Sequence, residues 1–358
     1  TPGDTVVARP GVHGGFELRT SGTALAPITF RAQPGASIVG DNAYSPDAVN
    51  LHMASYVSIE DFAIGGATRA GIRAVGWPGM HSSHVSVTGN RVTNNGRWGI
   101  FTGFVEDLYV ANNEAAYSGS EHGIYASNSA DRPVIVDNLV HHNRGSGIQI
   151  NADIHTGGDG IIDHAVVAGN IIYANGWGGG AAINLDGVIE SRIENNLMYD
   201  NHAGGIAIYR IDGGSPSYNN EVVNNTILQA SGSRWGLAVR NGSSGNIIVN
   251  NIIENPGPAG AIAVSSDSLP GMVSDYNAVR NGMSIDGWGM SFSQWKRRTG
   301  LDLNSFTTEG YPTLYDWDSE NYLSLYADSP AVDAGTAFLA ASVDILGVPR
   351  PQWLGVDI

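Results

Sequence analysis

Residues 90–100 read NRVTNNGRWGI and residues 138–148 read NLVHHNRGSGI. Both segments begin with Asn, carry a second Asn five positions later and end in Gly-Ile. The first Asn recurs at the head of short stretches whose aliphatic content favours β-strands. The full series consists of Asn90, Asn113, Asn138, Asn170, Asn196, Asn225 and Asn251. Such recurrence indicates that the chain repeats one structural unit.

A second mark, a small residue followed by Ile or Leu, comes 10 to 13 residues after each of these asparagines. Its members are Gly99-Ile100, Gly123-Ile124, Gly147-Ile148, Ala182-Ile183, Gly205-Ile206, Gly236-Leu237 and Ala261-Ile262. The unit is therefore roughly 23–25 residues long, which is typical of a solenoid and leaves room for three short strands and three turns. We predict an all-β, single-domain parallel β-helix with three strands per coil. The recurrent Asn is expected at a tight bend, bonding to backbone groups of the next coil.

Composition excludes several classes of function. The net charge is −16, and Lys296 is the sole lysine, so binding to nucleic acid through its phosphates has no electrostatic basis. An anionic membrane surface is disfavoured for the same reason. No apolar run approaches the ~20 residues that a membrane-spanning helix needs. Cysteine is absent, which excludes disulfides, and a first residue other than Met suits a mature secreted protein.

The pattern Asn-x-x-x-x-Asn-x-x-x-Gly-Ile resembles the right-handed parallel β-helix proteins of the pectate-lyase-like group. The opening PGDTV of residues 2–6 and the ending SPAVDAG of residues 329–335 are similar to the first and last parts of such proteins. Members of that group are mostly secreted polysaccharide lyases, epimerases and glycosidases. The resemblance therefore implies a secreted, carbohydrate-active protein, and the fold alone leaves its activity open.

The chain reads as one continuous domain. We expect an N-terminal cap and first coil in residues 1–50, the β-helix core in 51–265, and C-terminal coils with a cap in 266–358. A solenoid must cover its open apolar ends, which is why caps are expected. The segment SFSQWKRR of residues 291–298 is the one credible short helix, with Ser291 or Ser293 as its N-cap.

Two insertions predict where a ligand binds. The longest intervals between an aliphatic mark and the next repeat Asn contain residues 152–164 and about 209–219. Both loops leave the β-helix at the same turn, and insertions on one face of a repeat protein usually frame its binding surface. The strand that begins at the Gly-Ile mark should therefore form the floor of a binding site.

Strand alternation assigns the outward residues of that strand. Adjacent coils stack about 4.8 Å apart, so outward side chains of neighbouring coils should lie side by side. The row three positions after the mark contains Asn151, Asp186, Tyr209 and Arg240, and the row one position after it contains Tyr125, Gln149 and Asn184. The loops add Asp153, His155, Arg210 and Asp212 above this face. Such a polar and aromatic face suits a polysaccharide or oligosaccharide.

The resemblance implies three chemical readings. Glu121-His122-Gly123 is similar to a His-Gly-Phe strand of alginate C5-epimerases, which would make His122 a proton-transfer residue beside Tyr125; alternatively, His122 bonds to a neighbouring coil. Lyases of this fold neutralise a uronate carboxylate with Arg or Ca²⁺, remove the C5 proton and protonate the leaving oxygen. For that reaction the base candidates are His122, Arg210, Arg240 and Tyr209.

The third reading is hydrolysis by paired carboxylates, Asp153 and Asp186, with Asp212 as a further candidate. Oxygen ligands for Ca²⁺ would come from Asp153, Asp159 and Asp163. We predict a monomeric, secreted lyase or epimerase that acts on a uronate-containing glycan by C5 proton abstraction, with Ca²⁺ as the one conceivable cofactor. The alternatives are a glycoside hydrolase and a non-catalytic glycan-binding surface protein.

Overall fold

The protein is a parallel β-helix in a computed structural model, which describes residues 1–309, 315–316, 324–352 and 354–358. Three long sheets run along the solenoid, with 11, 12 and 12 strands. Each coil contributes one strand to each sheet, and all neighbours pair in parallel except the last pair of sheet 3. The predicted all-β parallel solenoid is confirmed.

The strands of each sheet follow the order of the coils. Sheet 1 consists of Thr5–Ala8, Ile28–Ala32, Val57–Glu60, Val85–Thr88, Tyr109–Ala111, Val134–Val136, Val166–Ala168, Arg192–Glu194, Glu221–Val223, Ile247–Val249 and Val273–Asp275. Sheet 2 consists of Gly11–His13, Ala36–Val39, Ala63–Gly65, Arg91–Thr93, Glu114–Ala116, Leu139–His141, Ile171–Tyr173, Leu197–Tyr199, Thr226–Leu228, Ile252–Glu254, Ala278–Val279 and Phe306–Thr307. Sheet 3 consists of Phe16–Leu18, Val49–His52, Ala70–Val75, Trp98–Gly103, Ile124–Ser127, Ile148–Asn151, Ile183–Asp186, Ile206–Tyr209, Leu237–Val239, Ile262–Val264, Met283–Ile285 and Trp288–Met290.

The remaining elements are short. Three two-stranded sheets pair Ser82–Ser83 with Val105–Glu106, Ile162–Asp163 with Val188–Ile189, and Tyr315–Asp316 with Ser324–Leu325. Two 3₁₀ turns span Ile154–Thr156 and Ser266–Ser268, and the helix α1 spans Phe292–Thr299. The described residues contain no helix that is long and apolar enough to cross a membrane.

Helix α1 confirms the expected helical segment. Ser291 caps its N-terminus in a reciprocal pair with Gln294, in which each side chain bonds to the other residue's backbone N–H. Gly300 closes the C-terminus in the left-handed conformation, with φ 72°. Trp295 is fully buried and donates from Nε1 to Asp302 at 2.8 Å, so the helix covers the last coils of the solenoid.

The aliphatic marks form the core. Ile100, Ile124, Ile148 and Ile183 are direct partners on successive strands of sheet 3, and each is at most 1% exposed. Stacking of identical side chains lets every coil repeat the same packing. Each buried Ile contributes about 1.5–3 kcal/mol relative to an exposed one.

The recurrent asparagines form a hydrogen-bonded ladder, as expected. Asn113 donates from its backbone N–H and from Nδ2 to Asn138 Oδ1, both at 3.0 Å, and Nδ2 also donates to Val87 O at 2.8 Å. The same contacts recur from Asn90 through Asn251 and end on Asn277. The buried backbone of the bend is thereby satisfied in the coils from Asn90 to Asn277.

Removing one ladder amide should be costly. Asn138→Ala removes Oδ1, which accepts two bonds from Asn113. It also removes Nδ2, which donates to Val110 O and to Asn170 Oδ1. We expect a loss of about 3 kcal/mol in the free energy of unfolding, because several buried groups lose their partners at once. Urea unfolding measures the change, with the exposed amide Gln33→Ala as the control. Equal midpoints for both variants would contradict the structural role of the ladder.

The C-terminal segment lies across the outside of sheet 2. Ala331 and Ile358 pack with Leu228 and Ile252 in a cluster separate from the solenoid core. Parallel pairing is continuous across residues 50 and 265, where the sequence analysis divides the chain. The part of the expected C-terminal cap in 310–314, 317–323 and 353 lies outside the described residues. The outer face of sheet 3, in contrast, carries the two rows of residues that the sequence predicts to form a binding surface.

Candidate functional site

The register of sheet 3 brings the expected outward residues together. Asn151 pairs with Asp186, Asp186 pairs with Tyr209, and the Arg240 backbone N–H donates to Ile208 O at 2.9 Å. The four residues therefore follow one another on successive coils. The neighbouring row contains Arg73, Phe101, Tyr125, Gln149, Asn184, Ala207 and Ala238 in register. Together the two rows form one face that runs along the solenoid beside the two long loops, and we call this face the groove.

The two long loops pack against each other along one edge of the groove. Asp153 forms an antiparallel bridge with Gly213, and Ile154 N donates to Asp212 O at 3.1 Å. Gly214 N donates to Gly160 O at 2.7 Å. The expectation that loops 152–164 and 209–219 rise together beside the groove is confirmed. We call this edge the loop rim.

Asp186 differs from the sequence expectation of an accessible carboxylate. It is only 1% exposed, because the backbone of the loop rim covers it. Its Oδ1 accepts the N–H groups of Ile211 at 2.9 Å and Gly213 at 3.1 Å, and its Oδ2 accepts that of Asp212 at 2.9 Å. Burial raises the pKa of Asp186, and the three N–H donors oppose that rise. The carboxylate thus anchors a loop.

Two tyrosine hydroxyls converge on the strand Ile148–Asn151 from opposite directions. The Tyr125 hydroxyl lies near the Asn151 side chain, and the Tyr209 hydroxyl lies near the Gln149 side chain. Asn151 Nδ2 donates to Asp212 Oδ2 at 3.2 Å, which brings the loop rim into the same cluster. We call Tyr125, Gln149, Asn151, Tyr209 and Asp212 the central cluster.

The central cluster is buttressed by a second layer of amides. Gln149 Oε1 accepts from Asn184 Nδ2 at 3.0 Å and from Ser146 Oγ at 3.1 Å. Asn184 Nδ2 also donates to Ser146 Oγ at 3.0 Å. Gln149 and Asn184 are 5% and 8% exposed, so this layer holds the groove floor in place and offers little surface to a ligand. Their expected contact with substrate therefore stays a prediction.

Both tyrosines stay protonated near neutral pH. Burial raises the pKa of Tyr209 to about 12, and the charge of Asp186 acts in the same direction, while the nearby Gln149 side chain acts against it. Burial also raises the pKa of Tyr125, with Glu121 acting in the same direction. A neutral phenol is in the protonation state that a general acid requires, and it cannot act as a base before it loses its proton. These hydroxyls therefore suit the role of acid.

His122 bonds to the neighbouring coil, the alternative that the sequence left open. Its Nδ1 accepts the backbone N–H of Ser146 at 2.9 Å, so its proton resides on Nε2. Burial lowers the pKa of His122 to about 4, against the opposing effect of Glu121. The ring lies edge-on to Tyr125, with 5.1 Å between centroids. His122 is a neutral donor beside the central cluster.

The shifted His122 pKa predicts a pH dependence of stability. The folded value of about 4 lies below the ordinary 6.5, so stability is full above pH 6.5 and falls as the pH drops toward 4. His122→Asn keeps an acceptor near the Ser146 N–H but cannot titrate. The urea midpoint of this variant should fall less steeply across that window than that of the wild type. His155→Asn, on the exposed loop, is the control, and parallel profiles for His122→Asn and wild type would contradict the assignment.

A pair of arginines that the sequence analysis did not assemble lies beside the central cluster. The guanidinium groups of Arg234 and Arg240 lie 4.2 and 4.7 Å from the ring centroid of Trp235. Neither arginine forms an ion pair with a carboxylate among the described residues. Burial and the charge of Arg240 lower the pKa of Arg234. We call Arg234, Trp235 and Arg240 the arginine clamp.

The sequence marks the position of the clamp by a recurrent Arg-Trp pair. Arg-Trp precedes the small-aliphatic mark twice, at Arg97-Trp98 and at Arg234-Trp235. In the first copy Arg97 also stacks on its Trp, at 4.1 Å, but it forms an ion pair with Glu121 at 2.7 Å. In the second copy no carboxylate occupies that position, so the positive charge remains free for a ligand.

Three residues that the sequence predicts to lie above the binding face, Asp153, His155 and Arg210, do not reach the central cluster. Asp153 caps the turn Ile154–Thr156 by accepting from His155 N at 2.8 Å, and His155 is exposed. Arg210 is exposed and donates from Nε to Gly213 O at 3.1 Å. These residues line the loop rim, outside the central cluster.

The candidate calcium ligands do not converge. Asp159 Oδ1 accepts from Ile161 N at 3.0 Å, and Asp163 lies 3.0 Å from His164, while Asp153 caps its own turn. Among the described residues no three His, Asp or Glu side chains come together as a metal site. The expected set of ligands therefore does not fit Ca²⁺, and no chemical step is assigned to the ion.

A three-sheet parallel solenoid with a polar outer groove defines a β-helix protein. The chain belongs to the right-handed β-helix family, whose model for the right-handed β-helix region matches residues 42–154 and 105–281. The predicted membership of the right-handed parallel β-helix proteins is thereby confirmed. A search of curated proteins finds no match.

Several solved structures share this fold. The pectate lyase Pel9A aligns with a TM-score of 0.59 and 16% identity over 96% of this chain and 86% of the lyase. An alginate lyase from Paenibacillus sp. str. FPU-7 aligns with a TM-score of 0.51 and 20% identity over 73% of this chain and 91% of the lyase. A double mutant of the periplasmic alginate epimerase AlgG aligns with a TM-score of 0.50 and 16% identity over 78% and 77% of the two chains. The alignments establish a shared fold, and at identities this low they establish nothing more.

Proposed function

We propose that the protein is a polysaccharide lyase or epimerase that acts on a uronate-containing glycan by C5 proton abstraction, outside the cell or in the periplasm. The observation that carries the proposal is the arginine clamp, whose charges have no carboxylate partner among the described residues of a protein of net charge −16. The clamp lies beside protonated tyrosines. The fold shared with pectate and alginate lyases and an alginate epimerase supports the same substrate class.

The clamp would bind the uronate carboxylate. When the C5 proton leaves, negative charge spreads onto that carboxylate, and preorganised cations stabilise it most strongly at this stage. Arg240 and Arg234 are held by the Trp235 ring, and Arg234 is also held by Gly180 O at 3.1 Å. Little reorganisation is therefore needed when the charge develops.

The central cluster would transfer the protons. We assign the base to the Asp212 carboxylate, which is part-exposed and reaches the cluster through Asn151. The C5–H bond breaks and its proton moves to Asp212. For elimination, the C4–O bond then breaks, Tyr209 donates its proton to the leaving oxygen, and a C4=C5 double bond forms. For epimerisation, a tyrosine instead returns a proton to C5 from the opposite face. His122 lies beside this cluster, and Arg210 and Asp153 lie on the loop rim next to it.

The test is incubation with a panel of uronate polysaccharides, with added Ca²⁺ and with a chelator. Elimination is expected to raise the ultraviolet absorbance of the unsaturated product. Epimerisation gives no such absorbance but changes the uronate composition seen by NMR. Turnover of neutral polysaccharides alone, with none of uronates, would overturn the proposal. Gel filtration of the same sample tests the expected monomer.

The paired-carboxylate hydrolase fits the geometry less well. Both carboxylate oxygens of Asp186 accept hydrogen bonds from backbone amides, and Asp153 caps its own turn. Neither carboxylate is therefore positioned as an acid or a base. New reducing ends without unsaturated product would restore that alternative. Binding without any product would indicate a glycan-binding surface protein.

A further inference from the structure

The turns that connect sheet 2 with sheet 3 carry a second group of exposed aromatic and cationic side chains. We call this group the aromatic rim, and its members are Tyr117, His142, Arg144, Trp177 and His202. Tyr117 and Trp177 are 45% and 68% exposed, so a large part of each ring is open to a ligand. The rim borders the groove on the side opposite to the loop rim and has no part in the proposed chemistry.

The exposed rings are held in place by stacking. Tyr117 stacks on His142 with 5.1 Å between ring centroids and 26° between the planes. Trp177 lies over His202 with 3.6 Å between centroids. Rings fixed in this way present an apolar face to solvent and lose little conformational freedom when a ligand binds. Their arrangement along successive coils suits an extended ligand.

Arg144 gives the aromatic rim a positive charge although the protein as a whole is acidic. Arg144 is exposed and forms no ion pair with a carboxylate among the described residues. His142 and His202 add two imidazoles next to it along the solenoid. An exposed arginine without a carboxylate partner among the described residues, on a protein of net charge −16, favours an anionic ligand.

The aromatic rim is continuous with the arginine clamp. Its Trp177 belongs to the loop 176–180, in which Gly178 N donates to Arg144 O at 2.7 Å. The same loop accepts a bond from the clamp, since Arg234 Nη2 donates to Gly180 O at 3.1 Å. A polymer that leaves the groove at the clamp therefore meets Trp177 next.

We infer that the aromatic rim is a secondary binding surface for an anionic polysaccharide. The inference rests on the proposed function, because the occupant is a further part of the same uronate chain. The aromatic faces contact sugar rings, while Arg144 and the imidazoles contact carboxylates. The surface captures long polymer and guides it to the groove, and short oligosaccharides do not reach it.

The test separates polymer capture from chemistry. Trp177→Ala, Tyr117→Ala and Arg144→Gln are compared with wild type by affinity electrophoresis in gels containing alginate or polygalacturonate. We expect about tenfold weaker retention for Trp177→Ala, the size of effect that a lost aromatic contact produces. The KM for polymer should rise in parallel, and kcat/KM for a trisaccharide of the same uronate should stay at the wild-type value. Trp288→Ala, which removes a 77% exposed ring at the far end of sheet 3, is the control.

The outcomes distinguish the two proposals. If all three rim variants retain and degrade polymer like wild type, the aromatic rim is not a binding surface, and the groove proposal is unaffected. If wild type neither retains nor converts any uronate polymer, the proposed function fails and the inference fails with it. Equal losses on trisaccharide and polymer would also refute the rim, because they place its residues in the groove.

Discussion

Replacing Arg240 by Gln is expected to lower turnover of a uronate polysaccharide by roughly 10²–10³-fold, the effect of removing one preorganised charge from a developing oxyanion. The substitution keeps a side chain that can lie on Trp235 and removes the charge. Because the carboxylate gains charge as the C5 proton leaves, most of the loss should appear in kcat. Initial rates of product formation over a range of substrate concentrations measure both constants.

A control arginine and a double variant test whether the loss in Arg240→Gln comes from the clamp. Arg31→Gln removes an arginine that pairs with Glu60 on the outside of sheet 1, and it should leave turnover unchanged. Arg234→Gln should be impaired, and the double variant should lose less than the product of the two single effects, because both cations act on one carboxylate. Wild-type turnover in Arg240→Gln would remove the clamp from the mechanism.

The solenoid could be predicted because its determinants are local and repeated. The ladder Asn and the aliphatic mark recur at fixed spacing, and strand alternation then determines which residues point outward. The neighbour relations of Asn151, Asp186 and Tyr209 follow from that register alone. Because every coil shows the same pattern, the repeat remains recognisable even where one coil is irregular.

The surroundings of each outward residue could not be predicted in the same way. Asp186 is covered because three amides of loop 209–219 turn back onto it, 25 to 27 residues later in the chain. The path of an irregular loop depends on contacts that no periodicity encodes. The arginine clamp depends in turn on side-chain conformations around Trp235, although the recurrent Arg-Trp pair marks its position.

Asp186 should behave as a positioning residue. Asp186→Ala removes the acceptor for three backbone donors, and its covered position makes solvent a poor replacement. We expect a loss of about 3 kcal/mol in the free energy of unfolding, less than the sum for three buried groups because the loop can relax. Turnover should also fall, since Asp212 belongs to the released loop. Asp159→Ala, on the neighbouring loop, removes one exposed bond and serves as the control.

Hydrogen exchange distinguishes positioning from direct acid or base catalysis. If Asp186 acts through the loop, the amides of Ile211, Asp212 and Gly213 exchange faster in Asp186→Ala, and Asp186→Asn falls between that variant and wild type. Asn can keep one oxygen for the Ile211 and Gly213 amides, but its NH₂ group faces the Asp212 N–H. If Asp186→Asn abolished turnover while all three amides kept wild-type protection, the carboxylate itself would take part in the chemistry. Exchange of these amides and turnover should therefore change together, because the loop that Asp186 anchors carries the proposed base.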